Sequence, residues 1–236
     1  MKTIGLIGGM SWESSLEYYR LVNERVKEKL GGFHSAECVL YSVDFADIEK
    51  MQDRGEWDEA ADRLARAALA LERAGADFAL LCTNTMHKVF DAIQGKIGIP
   101  LLHIAEVTGR EIQARGLTRV GLLGTRFTME QEFYKGKLTS EFGIEVLIPD
   151  PAERDAVHGI IYTELVMGLV KPSSREIYEA IIRRLVSAGA QGIVLGCTEI
   201  PLLVSQKDFT IPLFDTTALH ARAAADLALA DKLPID

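Results

Sequence analysis

Three pairs of segments recur in the same order along this chain of 236 residues, and that repetition limits its fold more than any single residue does. Ile4-Gly5-Leu6-Ile7-Gly8 aligns without a gap on Val120-Gly121-Leu122-Leu123-Gly124 at an offset of 116, which also sets Tyr18 opposite Tyr134. Ala74-Gly75-Ala76 aligns on Ala188-Gly189-Ala190 at an offset of 114, and Ile99-Pro100-Leu101-Leu102 on Ile211-Pro212-Leu213-Phe214 at 112. Drift of this size is what small insertions and deletions in loops leave after an internal duplication. Each half must then repeat one order of elements.

That order alternates strands with helices. Apolar runs bounded by turn residues predict strands over Thr3–Ile7, Cys38–Val43, Phe78–Cys82 and Pro100–Ile104, then Arg119–Leu123, Glu145–Ile148, Gly192–Leu195 and Pro212–Phe214. Helical periodicity falls on Ser14–Lys29 with Leu16, Tyr19, Val22 and Val26 as its apolar face, and on Trp57–Ala74, Met86–Gln94, Met129–Phe142, Arg175–Ala188 and Thr217–Leu229. Alternation at these lengths means βαβ units and parallel sheets. The expected fold class is α/β: two pseudo-symmetric Rossmann-like lobes with parallel sheets. Residues 1–105 with 215–236 form the first lobe, 106–214 the second, and the active site lies in the cleft between them.

Composition excludes several function classes. Hydrophobic residues at 48% and charged ones at 25% supply two small cores. A net charge of −8 with no basic block argues against nucleic acid and against an anionic membrane surface. No apolar run reaches the ~18 residues of a membrane span. The opening stretch is too short for a secretory signal and leads into a glycine loop, so it reads as a first strand. Cys38, Cys82 and Cys197 are odd in number, far apart and without CxxC spacing, which suits a reducing cytoplasm and gives neither a disulfide framework nor a metal site. Gly5-Leu6-Ile7-Gly8-Gly9 lacks the spacing of a dinucleotide loop.

The middle repeat carries the chemistry. Its offset sets Thr83 opposite Cys197, Asn84 opposite Thr198, and Thr85 opposite Glu199. Both triplets follow a buried strand at its carboxyl end, where open α/β sheets bind ligands. Lobes facing each other would bring Thr83 and Cys197 to opposite sides of one substrate carbon, as inversion of a stereocentre requires. A cysteine suits proton abstraction because its pKa of about 8.5 can be lowered by nearby backbone N–H groups. Such groups, with the polar side chains of Asn84, Thr85 and Thr198, can hold a carboxylate and stabilise an enolate-like transition state. The loops Gly8-Gly9-Met10-Ser11 and Gly124-Thr125-Arg126-Phe127-Thr128 add Met10, Thr125 and Thr128 as candidate contacts. Cys38 and Cys82 read as core residues, His87 and His220 as capping or packing residues.

Thr83-Asn84-Thr85-Met86-His87 and Gly196-Cys197-Thr198-Glu199, with Gly8-Gly9-Met10 and Leu123-Gly124-Thr125, resemble the aspartate/glutamate racemase family from end to end. The resemblance implies a two-domain isomerase that interconverts L- and D-amino acids without pyridoxal phosphate or metal, by a two-base mechanism with one cysteine per lobe. It implies a small amino-acid substrate and a homodimer. The family's second cysteine, which takes the α-proton of the L-isomer, maps onto Cys197. The first falls at Thr83, while Cys82 stands one residue early and points to the other face of its strand. Turnover favouring the L-isomer is the implied consequence. Glu199 stands where related glutamate racemases carry a histidine that assists the cysteine. A lysine of many aspartate racemases falls at Val166, and their arginine has no clear match, Gln52 and Arg54 being nearest; Gln52 is the candidate contact. Other readings are a broad-specificity amino-acid racemase, a maleate isomerase or malonate decarboxylase-like enzyme, or a non-enzymatic small-anion binding protein.

Overall fold

The computed structural model describes residues 1–230, so positions 231–236 of the expected first lobe lie outside the described residues. Two compact units divide the chain: Met1–His103 with the described residues from His220 on, and Ile104–Leu219. Each holds one parallel four-stranded sheet, as the duplication predicts. In the first, β1 (Ile4–Gly8), β2 (Cys38–Ser42), β3 (Phe78–Leu81) and β4 (Leu101–Leu102) lie in the order β2-β1-β3-β4. In the second, β5 (Arg119–Gly124), β6 (Glu145–Leu147), β7 (Ile193–Gly196) and β8 (Leu213–Asp215) repeat it as β6-β5-β7-β8. The central strands β1, β3 and β7 are buried along their whole length, which is why they read as unbroken apolar runs.

Winding reverses between β1 and β3, and between β5 and β7, and ligands bind at the carboxyl ends of such a switch point. Register pairs Ile7 with Leu81 and Gly124 with Gly196. The loops leaving at Gly8 and Cys82 therefore adjoin within the first unit, and those leaving at Thr125 and Cys197 adjoin within the second.

The helices are α1 (Trp12–Leu30), α2 (Phe45–Arg54), α3 (Trp57–Arg73), α4 (Phe90–Gln94), α5 (Ile104–Ala114), α6 (Arg126–Glu130), α7 (Glu132–Phe142), α8 (Pro151–Thr163), α9 (Pro172–Ser187) and α10 (Thr216–Leu229). Three of them, α2, α5 and α8, are absent from the sequence expectation. The first turn of α8 did carry a signal: Asp150 and Glu153 form a reciprocal capping box around Pro151. The helix expected over Met86–Gln94 begins as a 3-10 turn, Thr85–Val89, before α4. The one expected over Met129–Phe142 breaks at Gln131, whose backbone is extended.

The inner face of α1 also differs from expectation. Leu16 and Tyr19 are 58% and 50% exposed, whereas Ser15, Tyr18, Val22 and Val26 are buried. The cause is polar: Ser14 and Ser15 turn inward because their hydroxyls are consumed by backbone partners, Ser14 donating to the Cys82 carbonyl and Ser15 to that of Ser11. Leu16 and Tyr19 then rim a surface groove of about 420 Å³ with Trp12 and Leu40.

The last helix of each half packs in the other half's unit. After β4, α5 buries Ile104, Ala105 and Ile112 with Val120, Tyr134 and Phe214 in the second unit. After β8, α10 returns to the first, where Arg25 pairs with Asp226 at 2.9 Å and the Lys2 N–H donates to the Ala228 carbonyl. The duplication persists in two equivalent contacts. Tyr18 hydroxyl lies 2.9 Å from His220 Nδ1, and Tyr134 hydroxyl donates to Thr108 Oγ1 at 3.3 Å. His220 and Thr108 are themselves 112 positions apart.

Candidate functional site

In the first unit the site is built around the end of β1. Gly9 has φ +90°, and a Cβ there would stand 2.1 Å from the Val43 carbonyl oxygen, so only glycine lets the chain turn this close to the end of β2. The Gly9 N–H donates to Ser15 Oγ at 2.7 Å, which fixes the loop carrying the buried Met10. Beside it, β3 ends at Leu81 and delivers Thr83, Asn84 and Thr85, all buried. The Thr83 carbonyl accepts a 2.8 Å hydrogen bond from His87 Nδ1, which must carry the proton because a carbonyl only accepts. Gln52 on α2 is buried and its amide donates to Met86 Sδ at 3.0 Å. Met10 and Met86 share one apolar cluster. Met10, Gln52 and Thr83–Thr85 thus collect at one edge of the first sheet. Arg54, the other residue weighed for side-chain binding, points to solvent beside Glu56. Cys82 is wholly enclosed, and burial pushes its thiol far above the ordinary range; Cys38 is half-buried and is raised by the same cause.

In the second unit β5 and β7 close up at their ends through Gly124 and Gly196: a Cβ on Gly124 would lie 2.7 Å from the Gly196 carbonyl oxygen. Immediately beyond, the Cys197 thiol donates to Glu199 Oε2 at 3.0 Å, and the same oxygen accepts the Thr198 hydroxyl at 2.7 Å. Glu199 is only 4% exposed. Burial first, then the Glu199 charge and hydrogen bond, raise the thiol well above its usual value, while the backbone N–H groups of Glu199 and Thr198 pull it down. The resting sulfur is therefore a protonated thiol that donates to the Glu199 side chain. Thr125 caps α6 by accepting the Thr128 N–H at 3.3 Å, and the two threonine hydroxyls lie 3.2 Å apart. Thr128 is fully buried and braces Thr125.

Removing the Glu199 charge should lower the thiol's apparent pKa. Alkylation of Cys197 as a function of pH, in a Cys38→Ala background, should shift toward acid in Glu199→Gln. An unchanged or more alkaline profile would contradict the pairing.

Sequence reasoning missed Tyr178 on α9. It packs in the same buried cluster as Cys197, and its hydroxyl donates to the Val157 carbonyl at 3.2 Å. Burial, followed by the charges of Cys197, Glu164 and Glu199, holds it protonated. No local pattern announces it, because α9 and β7 meet only on folding. Val166, where a lysine was sought, lies in a 3-10 turn, Leu165–Met167. The nearby Lys171 instead pairs with Glu164 at 3.1 Å.

Beneath Thr83 three buried histidines pack together, with His87 4.8 Å from His103 and 5.8 Å from His220 between ring centroids. His220 Nε2 donates to the Leu102 carbonyl at 3.0 Å, leaving Nδ1 to accept from Tyr18. Both His87 and His220 are neutral. Burial brings His220 down to about 4, and burial plus repulsion from His103 and His220 lowers His87 well below 6.5. The unfolded chain binds protons at these positions before the folded one does, so their stabilisation is complete above the unfolded value of about 6.5 and is lost as pH falls below it, for His220 down to about 4. His220 alone is worth roughly 3 kcal/mol over that window. Melting temperature should fall steeply between about pH 6.5 and 4 in the wild type and less in His220→Gln. Parallel curves would refute this origin.

Among the described residues, no helix is long and apolar enough to cross a membrane, and no group of three or more His, Cys, Asp or Glu side chains is placed to hold a metal ion. Residues 7–224 match the family model described as Asp/Glu/Hydantoin racemase. A Yersinia pestis structure provisionally described as an Asp/Glu racemase is 55% identical, with a TM-score of 0.91 over 98% of this chain and 100% of that one. An aspartate racemase homologue from Pyrococcus horikoshii is 38% identical, with a TM-score of 0.84 over 98% and 100% of the two chains. The broad specificity amino-acid racemase RacX of Bacillus subtilis is 26% identical over 96% of this chain and 98% of its own.

Proposed function

This chain belongs to the Asp/Glu/hydantoin racemase family and is an isomerase of that type, and we propose that it racemises aspartate or glutamate without a bound cofactor, favouring the L-isomer. One observation carries the reading. At the carboxyl end of β7 the Cys197 sulfur is met by a carboxylate that can take its proton and by two backbone N–H groups that favour the thiolate. The substrate's α-ammonium group, set nearer the sulfur than Glu199, stabilises the thiolate, so transfer of the thiol proton to Glu199 becomes easier once substrate is bound. The thiolate then takes the α-proton of the L-isomer. Charge developing on the substrate carboxylate is met by backbone N–H groups and by Asn84, Thr85 and Thr198. On the opposite face the Thr83 hydroxyl delivers a proton to Cα while taking one from water, and Glu199 releases the proton it holds, which neutralises the hydroxide left behind. Met10, Gln52, Thr125 and Thr128 form and brace the walls.

Chiral analysis of products from L-aspartate, L-glutamate, neutral L-amino acids and maleate tests the proposal. D-aspartate or D-glutamate formed from its enantiomer supports it, and rates unchanged by chelator or by hydroxylamine support cofactor independence. Fumarate from maleate with no racemisation would replace it with the isomerase reading, and binding without turnover would favour the anion-binding one. Broad specificity is the second reading. It is favoured by the neutral, buried Gln52 and the solvent-facing Arg54, which leave the side-chain carboxylate without an evident cation at that loop. A homodimer in the cytoplasm completes the proposal, and light scattering tests the assembly.

A further inference from the structure

The Thr83–Asn84 peptide is held by a side chain for which the racemase reading has no use. We infer that His87 is a positioning residue: it turns the Thr83 carbonyl inward so that the Asn84 N–H faces the carboxylate of a bound substrate. The inference rests on the reading just given for its ligand, but not for its geometry.

A trans peptide is planar, and its C=O and N–H point in opposite directions. The Thr83 carbonyl is drawn to His87 Nδ1 at 2.8 Å, so the Asn84 N–H is turned away from the buried histidines. The preceding peptide is treated alike, for Ser14 Oγ donates to the Cys82 carbonyl at 3.2 Å. Both peptides that carry the Thr83 and Asn84 N–H groups are thereby fixed through their carbonyls, at the carboxyl edge of the β1/β3 switch point. Backbone N–H groups at the carboxyl end of such a switch point can receive anions.

The second half shows that the carbonyl must be held. There the matching carbonyl, that of Cys197, accepts the backbone N–H of Ile200 at 3.2 Å. Opposite His87 at the offset of 114 stands Pro201, which offers no donor. One half anchors this peptide with main chain, the other with an imidazole. His87 suits the task because its ring cannot swing: Phe90 stacks on it at 5.8 Å with the planes 13° apart, and His103 packs at 4.8 Å.

The test compares His87→Ala, His87→Asn and His87→Gln. The asparagine amide can occupy the place of Nδ1, whereas the longer glutamine amide resembles Nε2. Loss of one carboxylate-directed hydrogen bond should raise KM for L-aspartate about tenfold or more in His87→Ala, with kcat changed far less. His87→Asn should restore KM, and His87→Gln should not. Equal rescue by both amides, or a loss confined to kcat, would overturn the inference. Crystal structures of the variants give a reading independent of activity. The 83–84 peptide should keep its orientation in His87→Asn and turn in His87→Ala. An unmoved peptide in His87→Ala would refute the positioning role even if amino acids prove substrates. A turned peptide in a protein that racemises nothing would uphold the geometry and discard only the racemase reading.

Discussion

Cys197→Ser should abolish exchange of the L-isomer's α-proton with solvent, a loss of about 10²- to 10⁴-fold, the range expected for removing a positioned acid–base group. Serine keeps a hydroxyl that can donate to Glu199, so the buried carboxylate stays satisfied and the fold should survive. What disappears is the thiolate. An alkoxide cannot be populated near neutral pH, whereas a thiol with an ordinary pKa of about 8.5 lies within reach. Unchanged melting temperature with lost exchange would assign the defect to chemistry. Exchange within tenfold of wild type would remove Cys197 from the proposed role.

Thr83→Cys should raise turnover of the D-isomer by about 100-fold, because it places a competent base where a hydroxyl stands. The comparison must respect thermodynamics. Enantiomers have equal free energy, so kcat/KM must be the same in both directions for any variant. The one-thiol asymmetry therefore shows in kcat and KM taken separately, and in solvent exchange without inversion. In Thr83→Cys, kcat/KM should rise equally from either side while the D-isomer's kcat gains most. Thr83 is 8% exposed and cysteine is of similar size, so little repacking is required. Unimproved D-turnover in a folded variant would mean that the residue facing the second side of Cα is not Thr83.

Much of this architecture was legible in the residues themselves. The three drifting offsets foretold two equal sheets, and the equivalence of Tyr18 with Tyr134 reappears as matching hydrogen bonds. The expected lobes already join 215–236 to the first and 106–214 to the second; what was not legible is that Ile104–Ala114 forms a helix, α5. The face of α1 was misread. Hydropathy ranks Leu16 and Tyr19 above Ser14 and Ser15, but buried hydrogen bonds to Ser11 and Cys82 reverse the ranking. At the site, strand parity separates Thr83 from Cys82, and the buried thiol of Cys82 agrees with that separation. The pairing of Cys197 with Glu199 was only an adjacency in sequence, and its 3.0 Å contact comes from the tight turn after β7. His87 and His220, read as capping or packing residues, do pack, whereas Tyr178 and His103 had no local signature, since elements distant in sequence bring them into place.

The central claim is that a sulfur works on one face of Cα and a hydroxyl on the other. Deuterium incorporation into unconverted L-aspartate and D-aspartate, measured separately in D₂O with the wild-type protein, tests it most directly. The account predicts that the L-isomer gains deuterium while still L, faster than it inverts, and that the D-isomer gains it slowly. Equal incorporation into both unconverted enantiomers would contradict it.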